Sequence, residues 1–391
     1  MKTYTIKLPV VHAAAPVLAL GEPGASSPSL KSVIKLGNDV HARLYVVVAQ
    51  YDHAALKPPM RFAPKDLLPW VRRRLGEGHT VHVVHAACGF GFGLHRELVA
   101  AGAHSYVIAP RKLDEQNTGV KTDNRDAATL CQRLSRYLEG NTKELAIIRV
   151  PTPQEELARH VSRQREQLVR ARQKLQAQGR TLLVSHSLPV STHWWKNQTW
   201  SRACKCWPAE IRTLLEAYRP GLLELERQIE RLSAQLVESA PADVPAGIGE
   251  LTSVILTREI CDWARFKNRG QVSSYTGLCP GEYSSGDKRL QGHVTKRGNP
   301  RLRAALVECA WRLVRFQPKY QPVAKRLGIL KKGARATGAQ RKKAIVAVAR
   351  RLGVDLWRLH TGRATAADLG LSASATGEAS EATPTPSPLH S

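Results

Sequence analysis

The segment GVKTDNRDAATL, Gly119 to Leu130, sets Asp123 and Asp126 three residues apart in a strongly basic chain. Residues i and i+3 are neighbours on a helix, so two carboxylates in a first turn share a face. Such a pair does one of two things. It greets the positive end of the helix, or it offers oxygen ligands to a hard divalent cation such as Mg2+. A third carboxylate, Asp39, closes the run SVIKLGND. If that run is a strand, Asp39 stands at its carboxyl end, where open α/β sheets place their ligand sites. Three converging carboxylates suit two metal ions about 4 Å apart, which stabilise the attacking and leaving oxygens of phosphoryl transfer. The plain alternative makes Asp39 a turn residue and Asp123 a helix cap. Spacing alone leaves both readings open.

A second candidate centre lies downstream. Ser284 and Ser285 stand in GEYSSGDKRLQGHVTKRGNPRLR, followed by Lys288, Arg289, Lys296, Arg297, Arg301 and Arg303. No G-x-S-x-G elbow is present, so a hydrolase triad is not indicated. A serine among cations suits attack on a phosphodiester, the basic groups stabilising charge on the phosphorus. A serine in a polar, glycine-bounded loop is the plain reading. Gly247 and Gly249, just before ELTSVILTREI, form a third candidate. A glycine turn at a helix start exposes backbone N–H groups to a phosphate, although it serves equally as a simple turn.

The elements that must position these residues follow from periodicity. SVIKLGND, RLYVVVAQYD, HTVHVVHAACG and HSYVIAP read as strands, and DLLPWVRRRLGEG and GLHRELVAAGA as helices between them. Another helix starts near Asp123. That alternation predicts an α/β domain with a mostly parallel sheet. Next come two heptad seams. One runs through Leu157, Val161, Gln164, Leu168, Ala171 and Leu175. The other runs through Leu215, Tyr218, Leu222, Leu225, Ile229, Leu232 and Leu236. They predict long helices that pair with each other or with a second copy. The insert between them carries Trp194, Trp195, Trp200 and Trp207, a cluster better suited to packing than to base stacking.

Composition narrows the partner. The 391 residues hold 59 Lys+Arg against 32 Asp+Glu, a net charge of +27, which points to a polyanion and first to nucleic acid. From Arg301 to Arg350 there are 14 basic residues and one acid, Glu308. A solvated face would interleave acids, so this stretch reads as a phosphate-tracking surface. The seven cysteines are scattered, without the paired spacing of a zinc site, and read as reduced thiols. No apolar run reaches the roughly 18 residues of a membrane span. Residues 1–30 read as a flexible leader, and SASATGEASEATPTPSPLHS as a disordered tail.

GNDVH, ACGFGFGLHRELVAAG, VIAPRKLDEQNTGVKTDNRDA and GLCPGEYSSGDKRLQGHVTKRGNPRLR together resemble the DEDD-type insertion-sequence transposases. That group includes the Piv-like DNA invertases and the bridge-RNA-guided serine recombinases. The resemblance runs in order from about residue 33 to about residue 320. It implies a RuvC-like, RNase H-type α/β domain over 31–148 and a coiled-coil domain over 149–240. A mostly helical transposase domain with a serine loop follows over 241–330, then a basic helical extension over 331–370 and the tail over 371–391. It implies an acidic set of Asp39, Asp123 and Asp126 holding Mg2+, with Ser285 as the nucleophile of a covalent phosphoserine intermediate. DNA, a structured guide RNA and a homodimer or homotetramer are the implied partners, in a cytoplasmic, prokaryotic, nucleoid-associated setting. Ala86 departs from the pattern, because the family carries a glutamate there. Two other readings stand beside this one. A metal-only junction nuclease needs the aspartates but not Ser285, and a non-catalytic nucleic-acid-binding assembly protein is made more credible by Ala86.

Overall fold

The computed structural model describes residues 31–110, 122–241, 244–285, 288–331 and 333–372, with backbone alone over 283–291. The leader, most of the tail and much of the segment before Asp123 lie outside the described residues. The chain divides into two units, one ending at Val150 and the other beginning at Pro151.

In the first unit the order is β1 (Val33–Val40), β2 (Tyr45–Tyr51), β3 (Met60–Phe62), α1 (Pro64–Gly76), β4 (Thr80–Ala86), α2 (Gly93–Ala100), β5 (His104–Ile108) and α3 (Asp123–Leu138). The strands lie in the order β3-β2-β1-β4-β5. A mostly parallel sheet is expected from the sequence, and the sheet is instead mixed. β1 and β4, and β4 and β5, run parallel, but β1–β2 and β2–β3 are antiparallel. The four residues 41–44 between β1 and β2 are too few for a crossover, so these strands must pair as a hairpin. Alternate residues serve two cores. Ile34, Leu36, Val81 and Val83 pack with Leu67 and Val71 of α1 and Leu98 of α2. On the other face, Val46 and Val48 meet Ala127 and Cys131 of α3, while Val84 and Ile108 meet Leu130 and Leu134.

His82 of β4 is stacked on His104, with ring centroids 4.5 Å apart, and its Nδ1 lies 3.2 Å from the Tyr106 hydroxyl. Burial first, then His104 and Lys35, push this imidazole down to about 4. The unfolded chain takes up a proton near pH 6.5 that the folded chain refuses until about 4. Stability is therefore lost as the pH falls through that window. Thermal unfolding is expected to show a lower Tm at pH 5 than at pH 7, and His82→Phe to narrow the gap.

The second unit opens with α4 (Pro153–Ser185), α5 (Asn197–Ala203) and α6 (Ala209–Val237). A capping box of Thr152 and Glu155 starts α4. α4 and α6 pair within one chain. The seam expected on α6 is largely the one used, since Leu215, Leu222, Ile229, Leu232 and Leu236 are buried. On α4 the buried positions are Ser162, Gly179 and Leu183, whereas Leu157 is 67% exposed. At Gly179 the small residue makes room for a tryptophan. A Cβ on Gly179 would stand 2.1 Å from the Trp194 ring. Trp194, Trp195 and Trp207 are buried with α6 residues, so this insert is a packing knob.

The chain continues with α7 (Glu250–Ile260), α8 (Arg269–Thr276), β6 (Pro280–Ser285), β7 (Lys288–Val294) and α9 (Pro300–Phe316). It ends with α10 (Gln321–Ala324), α11 (Leu327–Leu330), α12 (Gly338–His360) and α13 (Ala366–Leu369). One core joins Val244, Leu256, Leu306, Leu313, Ile345, Leu352 and Leu371, so the basic stretch after residue 330 packs with the helices before it. Leu371 is buried and Ser372 is hydrogen-bonded to Gln317, so the first two residues of the expected tail are packed. Among the described residues no helix is long and apolar enough to cross a membrane.

Candidate catalytic site

β1 delivers Asp39 one residue before its end. The partner carboxylate depends on Gly37. A Cβ there would fall 2.2 Å from the Ala127 carbonyl oxygen and 2.3 Å from the Cys131 nitrogen, so only glycine lets α3 rest directly on the strand. That approach brings the first residue of α3, Asp123, to Asp39. Between them stands His41, whose Nε2 lies 3.2 Å from Asp39 Oδ2 and 3.5 Å from Asp123 Oδ2. One donor atom from each of the three falls within 4.8 Å of the others. Two carboxylates and an imidazole suit a small divalent cation, oxygens supplying charge and nitrogen a borderline donor. Asp126 is not one of this group. It is buried one turn further along α3, beside Ala127. The structure thus brings together two of the three expected aspartates and adds His41. The sequence carried that signal in the triplet Asp39-Val40-His41, which spacing rules for carboxylates pass over.

A Gly37→Ala chain is expected to lose about 3 kcal/mol of stability, the upper end of ordinary overpacking, and to lose metal affinity with it. An unchanged melting curve would show that α3 does not press on β1 at this point.

β4 ends at Ala86. The parallel register pairs Asn38 with His85, and the next step sets Asp39 beside Ala86. Neighbours in register leave a sheet on the same face. A carboxylate at position 86 would join the cluster; a methyl group adds no ligand.

The serines belong to the second unit. The sequence suggests a loose loop, and the backbone instead forms a hairpin. Ser284 and Ser285 end β6, paired in register with Arg289 and Lys288 of β7. A hairpin fixes the serine backbone more tightly than a loop would. The side chains of Ser284, Ser285, Lys288 and Arg289 lie outside the described residues.

The return from β7 is anchored by a network. Glu259 of α7 is fully buried and accepts hydrogen bonds from Arg163 Nε at 3.0 Å, Arg163 Nη2 at 2.9 Å and Asn299 Nδ2 at 2.7 Å. Burial pushes its carboxyl up, but Arg163 and Asn299 outweigh burial and hold it below the usual range. Asn299 in turn caps α9 by accepting from the backbone N–H groups of Arg301 and Leu302. Two of the predicted phosphate-binding cations are engaged inside the protein. Arg301 Nε donates to Glu166 at 2.5 Å, and Arg303 Nη1 donates to the carbonyls of Thr276 and Lys296. Lys296 and Arg297 remain exposed. Gly247 takes a positive φ of 89°, and Gly249 is the residue before α7. Their turn lies against α9, with Phe316 beside Gly247 and Arg312 beside Gly249.

Residues 243–324, which include this hairpin and the α7–α9 framework, match the Transposase IS116/IS110/IS902 family. A putative transposase of Sinorhizobium fredii is 32% identical over 332 residues, covering 76% of this chain and 81% of that protein. The chain belongs to the IS116/IS110/IS902 transposase family. More distant relatives agree. A probable family 20 transposase of Pseudomonas aeruginosa is 27% identical over 60% of the chain and 71% of its own length. The transposase for insertion sequence element IS1111A of Coxiella burnetii is 26% identical over 60% of the chain and 66% of its own length. The insertion-sequence transposase therefore pairs a mixed α/β unit bearing an Asp39-His41-Asp123 cluster with a helical unit bearing a serine hairpin.

Proposed function

We propose that this transposase cuts and rejoins DNA through a covalent phosphoserine made by Ser285, with a divalent metal held by the acidic cluster. The observation that carries the metal half is the convergence of Asp39, His41 and Asp123 at the end of β1. The strand order β3-β2-β1-β4-β5, with β2 antiparallel and β4 parallel to β1, supports an RNase H-type reading of that unit. Ser285 Oγ gives up its proton and bonds to phosphorus, the bond to one deoxyribose oxygen breaks, and that oxygen takes up a proton. Reverse attack by a strand hydroxyl restores the serine, so no nucleotide energy source is needed. A Mg2+ ion, when bound, neutralises phosphate charge and favours departure of the sugar oxygen.

The net charge of +27 supports handling several nucleic-acid duplexes, and the family resemblance adds a structured guide RNA. Leu157, exposed on α4, together with half-buried Val161 and Leu168, supports pairing with a second copy. Ala86 removes one carboxylate, so this chain is expected to cut weakly. A denaturing gel tests the reading: labelled DNA that stays on the protein, with RNA co-purified from the native host supplied, supports it. Metal-dependent nicks without any adduct favour the metal-only nuclease instead.

A further inference from the structure

Helix α9 shows two unlike faces. Inward, Leu302, Leu306, Cys309, Ala310 and Leu313 are buried in the core. Outward, its last turns expose large aromatic groups, Trp311 at 45% and Phe316 at 48%. Arg312 and Arg315 are exposed between them, with guanidinium carbons 5.9 and 5.4 Å from the Phe316 ring centroid. Burying both rings would remove well over 100 Å2 of apolar surface from water, so leaving them exposed costs stability. The adjacent turn lies beside Phe316 and Arg312. A Cβ on Gly247 would lie 3.1 Å from Phe316 Cβ, and one on Gly249 would lie 3.0 Å from Arg312 Nη1. The glycines thus leave the ring and the guanidinium without side chains pressed against them.

We infer that this face of α9 binds unpaired nucleotides, with bases stacked on Trp311 and Phe316 and phosphates held by Arg312 and Arg315. The chemistry selects that occupant. Two arginines beside exposed rings match a polyanion that also carries flat apolar faces, and stacked bases gain about 1–3 kcal/mol each from such rings. Fully paired duplex offers the charges but hides its base faces inside the stack. An apolar protein segment would have to desolvate both guanidinium groups without a carboxylate partner, at a cost. Two acids adjoin this face, Glu308 one turn back on α9 and Glu250 next to Gly249, against the two arginines. The inference does not depend on Ser285 or the metal cluster, because it concerns binding rather than cutting.

The test uses the full chain and two fluorescent probes of roughly 12 nucleotides, an unpaired oligothymidine and a hairpin-closed duplex, a length within the usual single-strand footprint. Trp311→Ala with Phe316→Ala is expected to weaken the unpaired probe tenfold or more and the duplex less than twofold. Trp311→Phe with Phe316→Tyr is expected to restore unpaired binding, whereas Trp311→Leu with Phe316→Leu is not. Photocrosslinking of a bromodeoxyuridine probe should label the 311–316 peptide. Equal loss on both probes, restoration by leucine, or no loss at all overturns the inference. A change in oligomeric mass by light scattering with single-strand affinity intact would assign the face to a second copy of the chain instead. Circular dichroism melting is expected to show only a small loss, because each ring is about half exposed.

Discussion

Ser285→Ala is expected to abolish the protein–DNA adduct outright and to lower strand exchange by roughly a thousandfold or more, as loss of a nucleophile does elsewhere. Ser284→Ala is expected to retain both. The contrast matters because the two serines are adjacent in β6 and paired with Arg289 and Lys288, so either could be offered to a phosphate. The family resemblance assigns the role to the serine next to the glycine, and the pair of variants tests that assignment. Folding is not at issue, since alanine is tolerated at the end of a two-stranded ribbon and a melting curve will show it. The comparison is best run in parallel on this chain and on Ala86→Glu, so that a weak metal site does not hide the adduct. Adduct surviving in Ser285→Ala removes this residue from the mechanism, and adduct lost only in Ser284→Ala moves the role by one position.

The legible parts of this fold were those written in period-two and heptad patterns. β1, β2, β4 and β5 stand where alternating or continuous apolar runs end in turn residues, and α3 begins at the aspartate that marked it. β3 carries no strand signal, because Met60–Phe62 is only three residues long and follows Pro58-Pro59, which argue against a strand. The α4 seam is used only in part. Leu175 packs against the α6 core as expected, whereas Leu157 is exposed and the small residues Ser162 and Gly179 are buried, because close packing rewards small size as well as hydrophobicity. The serine hairpin was hidden by composition. Ser284-Ser285-Gly286-Asp287 reads as loop, although a glycine followed by aspartate between two strand-like runs is also a hairpin signal. Gly37 carries no signal of its role in the sequence, and His41 carries only the short triplet Asp39-Val40-His41. One matters only when the backbone of α3 lies 2.2 Å from its missing Cβ, and the other only when a second carboxylate arrives from 84 residues downstream, the separation of Asp39 and Asp123.

Ala86→Glu is expected to tighten divalent-metal binding by roughly ten- to a hundredfold, because a third carboxylate adds both charge and a ligand, and to raise DNA cleavage with it. Extending the register one residue past its last pair, Asn38 with His85, sets the new side chain beside Asp39 and on the same face of the sheet. Isothermal titration with Mn2+ and Mg2+ reads the affinity without any substrate. His41→Ala separates two roles that the geometry permits for the imidazole, since its Nε2 stands within 3.5 Å of both carboxylates. An octahedral ion with bonds near 2.1 Å keeps adjacent donors about 3 Å apart, close to the spacing seen here, so His41 is expected to be a ligand rather than a placeholder. Its loss should then weaken Mn2+ by roughly tenfold and Mg2+ by less, nitrogen being the poorer donor for the harder ion. Nitrogen hyperfine coupling in the spectrum of bound Mn2+ should vanish with it. Tighter metal binding in His41→Ala would mean that the imidazole competes for the carboxylates. Ala86→Glu leaving affinity unchanged would place the missing charge elsewhere and detach the weak cutting expected of this chain from position 86.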